Sequence, residues 1–214
     1  MLNVSINSLP VTVEEGRTVL DACRAAKVYV PTLCDDPSLE PYGACRLCIV
    51  KVDGMRGLPT ACTTPAADGM KITTDDNEIL EVRKWTTQLL LSDHPLDCLT
   101  CGQCGTCGLQ EVAEYLGIRE RVLQPMMREG KIDDSNPCYS INMNKCILCG
   151  LCVRACDEIQ QIGAIDLSKR GYESAVEPFG GGPIKDSFCE SCGECVERCP
   201  TGALITRNFL KPER

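Results

Sequence analysis

Fifteen of the eighteen cysteines and the single histidine sort into four sets of four potential metal ligands spread along the 214 residues. Cys146, Cys149, Cys152 and Cys156 follow the spacing C-x2-C-x2-C-x3-C, and Cys189, Cys192, Cys195 and Cys199 repeat it, with Pro200 after the last. That run holds paired [4Fe–4S] cubanes, the fourth cysteine of each run serving the other cluster. A zinc ribbon needs only C-x2-C pairs and leaves the third cysteine in each register unexplained. Upstream lie a wide set, Cys34, Cys45, Cys48 and Cys62, and a His-led set, His94, Cys98, Cys101 and Cys107. Redox centres lined up along a chain point to the movement of electrons.

The wide set is spaced C-x10-C-x2-C-x13-C, unlike the plant-type C-x4-C-x2-C. Cys45 and Cys48 are expected to clamp one iron from a tight loop, with Cys34 and Cys62 closing on the other. Gly43 and Ala44 present little side chain, so backbone N–H groups can approach cluster sulfur. A four-cysteine zinc site is the competing reading. In the His-led region a fourth cysteine, Cys104, makes the spacing C-x2-C-x2-C-x2-C. Either four cysteines bind a cubane or His94 replaces one of them, and the spacing leaves both open. A lone histidine is more commonly exposed or hydrogen-bonded than a ligand. Cys23, on the apolar stripe of a helix, reads as a small buried hydrophobe, and Cys138 is left over.

Composition narrows the classes. Aromatics are 4% of residues, and the 43% of hydrophobic residues includes every cysteine. Segments so poor in large apolar side chains bury little core, and domains below about 70–80 residues commonly need a metal or disulfide staple. Disulfides fit badly, because the start Met1-Leu2-Asn3-Val4 lacks the features of a signal peptide and Cys-x2-Cys triplets suit a metal cage. No uncharged apolar run approaches the roughly 18 residues of a membrane span. The expectation is a cytoplasmic protein without a membrane span. The formal net charge of −8 argues against nucleic acid, which requires a basic face. No Rossmann fingerprint, P-loop or nucleophile–base constellation appears, and Phe179-Gly180-Gly181-Gly182-Pro183 lacks the strand and helix that would make it a phosphate cradle. No catalytic, flavin or nucleotide site is expected.

The elements that must position these ligands follow from local signals. Val4 to Ile6 and Val11 to Val13 read as a hairpin around Asn7-Ser8. Thr18 opens a helix with Asp21 as its capping partner and Pro31 as its terminator. Strands are expected over Ile49 to Val52 and Met70 to Thr73. A helix is expected from Asp75-Asp76-Asn77-Glu78 to about Leu91, with Ile79, Val82, Leu89 and Leu90 apolar. Further helices are expected over Gln110 to Leu116 and Arg119 to Met127. Lys131 to Pro137 reads as a linker. Gly163-Ala164-Ile165 and Gly202-Ala203-Leu204-Ile205 each follow a cysteine run, the mark of an internal duplication. Asp157 stands where the first run lacks a proline, so that turn is expected to be looser.

The order of motifs resembles the N-terminal iron–sulfur region of the large complex I subunit. With the paired runs added, it is similar to the N-terminal part of NAD-linked formate dehydrogenase alpha subunits and of multi-subunit [FeFe] hydrogenases. Cys156-Asp157-Glu158-Ile159-Gln160, Arg170-Gly171-Tyr172-Glu173 and Phe188-Cys189-Glu190-Ser191-Cys192-Gly193 carry the likeness. The resemblance implies an α+β protein. A β-grasp [2Fe–2S] ferredoxin-like domain (1–76) would be followed by a small helical [4Fe–4S] domain with one histidine and three cysteine ligands (77–130). A two-[4Fe–4S] bacterial-ferredoxin-like domain (138–207) would complete it. It also implies His94 as the ligand and Cys104 as the bystander. Since no molybdopterin or H-cluster domain precedes Arg214, the expectation is a stand-alone relay subunit, similar to the small iron–sulfur subunit of NAD-reducing hydrogenases. One [2Fe–2S] and three [4Fe–4S] clusters would then pass electrons between a flavin-containing NAD(H)-binding subunit and a catalytic hydrogenase or formate dehydrogenase subunit. The complex could be electron-bifurcating. The rival is a free polyferredoxin-like carrier.

Overall fold

The hairpin forms because Asn7 and Ser8 both adopt left-handed backbone angles (φ 49° and 70°), as a two-residue turn matched to the twist of its strands requires. Strand β1 (Leu2–Ile6) pairs antiparallel with β2 (Leu9–Val13), Ile6 facing Leu9. In this computed structural model, which describes residues 1–207, the chain divides into two compact units. The first comprises Met1–Asp35, Pro41–Gln88 and Val112–Arg119, and the second Asp36–Glu40, Leu89–Glu111 and the chain from Glu120.

In the first unit, helix α1 (Val19–Ala25) starts at Thr18, whose hydroxyl accepts from the Asp21 N–H while the Asp21 carboxylate accepts from the Thr18 N–H. The helix ends well short of Pro31. Lys27 turns left-handed (φ 56°), and the Val28 N–H closes on the Cys23 carbonyl, so the chain leaves the helix before proline can act. Strand β3 shrinks to Lys51–Val52, with Ile49 forming an isolated bridge to Thr60, and β4 is Lys71–Thr73. The sheet order is β2-β1-β4-β3, with β1 and β4 parallel. A parallel pair needs a long crossover, and the crossover here carries α1 and the loop of the wide cysteine set. The core packs Val4, Ile6, Val19, Leu20, Val50 and Ile72 around a fully buried Cys23.

Helix α2 (Asn77–Ser92) is capped by Asp76, whose carboxylate accepts from the Ile79 N–H at 2.8 Å. Its buried side differs from the expected stripe. Val82 and Leu89 are exposed, whereas Ile79, Arg83 and Thr87 are fully buried at i, i+4 and i+8. A guanidinium with three carbonyl partners takes a place on the buried side. Helix α3 spans Gly108–Tyr115.

In the second unit, β5 (Ile132–Asp133), β6 (Tyr139–Asn142) and β9 (Leu204–Thr206) form one antiparallel sheet, and β7 (Ile165–Ser168) pairs with β8 (Ala175–Pro178). Lys131 to Pro137 is therefore not a free linker. It supplies β5, the Asp133 carboxylate accepts from the Ile184 N–H, and Asn136 is buried. Arg119 to Met127 forms no helix, since Pro125 interrupts it; instead the Met126 N–H bonds the Ser92 carbonyl. The duplication is visible in α4 (Leu151–Arg154) and α5 (Glu194–Glu197), each opened by a left-handed glycine, Gly150 and Gly193. After α4 the chain widens into a π-turn over Ala155–Ile159, where the second run has Pro200. Among the described residues no helix is long and apolar enough to cross a membrane.

Candidate metal centres

The wide set gathers in the first unit. Cys34, Cys45, Cys48 and Cys62 are all buried. The Cys45 N–H donates to Cys34 Sγ at 3.3 Å, the Leu33 N–H donates to Cys45 Sγ at 3.3 Å, and Cys48 Sγ lies 3.4 Å from Cys62 Sγ. Two thiolates on one tetrahedral metal with bonds of about 2.3 Å stand roughly 3.8 Å apart. Cys48 and Cys62 thus lie close enough to share one metal, a neighbour relation that the short Cys45–Cys48 spacing does not itself indicate. The cause is the Ala61 N–H, which bonds the Cys48 carbonyl and draws the Cys62 segment onto that end of the loop. Shared hydrogens hold the Cys34 and Cys48 thiols below their ordinary range and drive Cys45 and Cys62 above it. Four thiolates this close need cationic charge among them, so the donor set fits a metal cluster.

Arg83 is the part of this site that spacing rules could not find. Its guanidinium donates to the carbonyls of Leu47, Ile49 and Thr74, each at 2.9 Å, and is fully buried. Two of those carbonyls flank Cys48, so a cation on α2 fixes the ligand loop.

The His-led set lies in the second unit. The Pro95 carbonyl, only an acceptor, sits 2.8 Å from His94 Nδ1 and assigns the ring proton to that nitrogen. His94 Nε2 is then left as a bare lone pair, buried with no hydrogen-bond partner. Burial pushes the imidazole below its ordinary value, against the pull of the Pro95 carbonyl, so it is neutral near pH 7. An orphaned buried acceptor costs about 1–3 kcal/mol, and a metal would satisfy it. Cys98 opens the turn Cys98–Thr100, Cys101 closes it, and Cys107 immediately precedes α3, whereas Cys104 is exposed. The loop packs tightly on the tail of the second cysteine run. A Cβ added to Gly202 would stand 2.5 Å from Cys101 Sγ, and the Gly108 N–H donates to the Pro200 carbonyl at 2.8 Å. Buried Lys145 pairs with Asp97 at 2.8 Å.

The two C-terminal runs cross. One cavity is lined by Cys156 together with Cys189, Cys192 and Cys195, and another by Cys199 together with Cys146, Cys149 and Cys152. Ile165 lies between them in the shared core of Tyr139, Ile141, Val176, Ile184 and Leu204. Burial pushes the Cys146 thiol up to about 11 and Cys195 to about 12, a penalty on the thiolate that a bound cation would offset. None of the eighteen cysteines is in a disulfide. Among the described residues no three His, Cys, Asp or Glu side chains are set to hold one lone metal ion.

Three family models match in sequence order: a 2Fe-2S iron-sulfur cluster binding domain over residues 1–77, the NADH-ubiquinone oxidoreductase-G iron-sulfur binding region over 83–121, and a 4Fe-4S dicluster domain over 145–203. The NADP-reducing hydrogenase subunit HndD of Solidesulfovibrio fructosivorans is 37% identical over 98% of this chain and 37% of its own length. The NADPH-Fe(3+) oxidoreductase subunit alpha of Geobacter sulfurreducens is 36% identical over 98% of this chain and 24% of its own. The chain thus spans between about a quarter and somewhat over a third of these curated relatives. A chain in a crystal structure of an NAD+-reducing [NiFe]-hydrogenase superposes with a TM-score of 0.91 at 29% identity, covering 99% of this chain and 90% of that one. The chain is accordingly a mixed α/β iron–sulfur protein of small ferredoxin-like domains, similar over nearly its whole length to iron–sulfur subunits of NAD(P)-linked hydrogenases and NADH dehydrogenases.

Proposed function

We propose that this chain is a non-catalytic electron-relay subunit of a cytoplasmic NAD(P)-linked oxidoreductase complex, a hydrogenase in the first instance. Its ligands would be Cys34, Cys45, Cys48 and Cys62 for a [2Fe–2S] cluster and His94, Cys98, Cys101 and Cys107 for a [4Fe–4S] cluster. Two further [4Fe–4S] clusters would take Cys146, Cys149, Cys152 and Cys199, and Cys156, Cys189, Cys192 and Cys195. Iron–sulfur clusters accept and release single electrons, and their potentials follow the protein's hydrogen bonds and burial. The domains would be 1–76, 77–130 and 138–207.

The observation that carries the reading is the contact of donor sets within the second unit. Cys101 abuts Gly202, three residues beyond Cys199, and the set that includes Cys199 shares a core with the set that includes Cys189. These contacts support a reading in which three sites stand in series, with Ile141, Ile165 and Leu204 packed around the two C-terminal ones. The similarity to hydrogenase subunits supports a flavin-containing NAD(H)-binding subunit at one end and a catalytic hydrogenase subunit at the other.

The test has two parts. Anaerobically prepared protein should hold 14 irons per chain, 3 × 4 + 2 on these ligand counts, with acid-labile sulfide. NADH should reduce the clusters in the native complex and leave the isolated chain oxidised, while dithionite reduces both. Stoichiometric zinc without iron, or turnover of NADH by the chain alone, would overturn the proposal.

A further inference from the structure

The two C-terminal cysteine runs are near-copies, yet the polar groups around them are not. Cys146 and Cys189 open their runs and receive the same backbone bond from two residues on, Leu148 N–H and Ser191 N–H, each at 3.4 Å. Cys189 Sγ alone is also met by a phenol, Tyr139 Oη at 3.0 Å, with the Asn136 amide farther away at 3.9 Å. Tyr139 is only 2% exposed, on strand β6 in the core between the runs. A phenol keeps its proton at neutral pH and acts as the donor toward thiolate. The asymmetry extends to the fourth cysteines. The Ala164 N–H donates to Cys156 Sγ at 3.2 Å, whereas the Thr201 hydroxyl near Cys199 gives its proton to the Lys145 carbonyl at 2.7 Å. On the Cys146 side, Arg128 donates to the Cys146 carbonyl and pairs with Asp93 at 2.5 Å, and Lys145 pairs with Asp97 at 2.8 Å.

We infer that Tyr139 tunes the pair of cubane sites unequally: its hydroxyl, bonded to Cys189 Sγ, raises the reduction potential of the cluster held by Cys156, Cys189, Cys192 and Cys195 and leaves its neighbour nearly untouched. The inference rests on the ligand sets proposed above. One-electron reduction adds negative charge that spreads onto the thiolates, so a donor at sulfur stabilises the reduced form more than the oxidised one. The equilibrium of an electron shared by the two sites is thereby moved toward the Cys189 side. Tyr139 touches a ligand rather than the iron, and so acts as a positioning residue.

The experiment is a mediated dithionite titration of the full chain and its Tyr139→Phe variant, followed by low-temperature EPR. Phenylalanine keeps the ring in the core and removes only the donor. At the wild-type midpoint of the affected cubane, the variant's reduced-to-oxidised ratio should fall by about threefold to tenfold, tenfold being about 59 mV for one electron. The other cubane should stay within twofold, and a strongly coupled exchangeable proton at the affected cluster should be lost. Unchanged ratios, or equal shifts at both cubanes, would overturn the inference. Absence of two cubane signals from the wild type would instead overturn the ligand assignment beneath it.

Discussion

Arg83 offers the sharpest test of how this fold holds a cluster loop. Replacing it with leucine keeps the helix and much of the volume but removes three hydrogen bonds to carbonyls, all at 2.9 Å in a fully buried site. Bonds to a charged group contribute roughly 1.5–3 kcal/mol each, or about 4.5–9 in total. Removing a buried cation also relieves its desolvation cost, several kcal/mol even after relaxation. The net loss is set at about 3–5 kcal/mol, the scale seen when one partner of a buried charged network is deleted. For a domain of this size, each kcal/mol lowers the melting temperature by about 4–8 °C, so the [2Fe–2S] signal should disappear at least about 12 °C earlier. Loss of such clusters is commonly irreversible, so both proteins are compared at one heating rate. Arg83→Lys keeps the charge, but one ammonium cannot span the carbonyls of Leu47, Ile49 and Thr74, and an intermediate loss is expected. Because Leu47 and Ile49 flank Cys48, the [2Fe–2S] EPR signal should also broaden while the cubane signals hold. Leucine variants melting within 2 °C of the parent with an unaltered signal would refute the role given to the guanidinium, 2 °C being well below the smallest shift derived.

Gly202→Ala places a Cβ 2.5 Å from Cys101 Sγ; ordinary carbon–sulfur contact needs on the order of 1 Å more, so the His-led cubane should be displaced or lost from the EPR spectrum, and an unchanged signal would disprove the contact. Cys104→Ala should leave every cluster signal in place, whereas Cys101→Ala should remove one cubane. The reverse pattern, with a harmless His94→Ala, would favour an all-cysteine site. Iron chelation under reducing conditions should unfold the second unit, because metal binding in small core-poor domains contributes folding free energy; retention of native near-ultraviolet dichroism after complete iron loss would contradict this.

The presence of iron–sulfur domains was legible because cluster chemistry restricts residue type and local spacing: the runs from Cys146 and Cys189 need no tertiary information to be recognised. The hairpin at Asn7-Ser8 and the cap at Thr18 were equally legible, since each is satisfied within a few residues. What spacing could not decide was whatever depended on partners distant in sequence. Cys48 lies beside Cys62 because a backbone bond from the Ala61 N–H to the Cys48 carbonyl draws the two segments together. Arg83 is buried, while Val82 and Leu89 of the expected apolar set are exposed, because carbonyls of Leu47, Ile49 and Thr74 converge on it from two other segments. The stretch from Lys131 to Pro137 looked like a linker for lack of apolar residues, yet β6 and the Ile184 N–H supply its missing partners. The choice between His94 and Cys104, open on spacing alone, acquires a physical basis only in three dimensions. Folding turns one nitrogen toward the Pro95 carbonyl, buries the other without a partner, and leaves Cys104 in solvent.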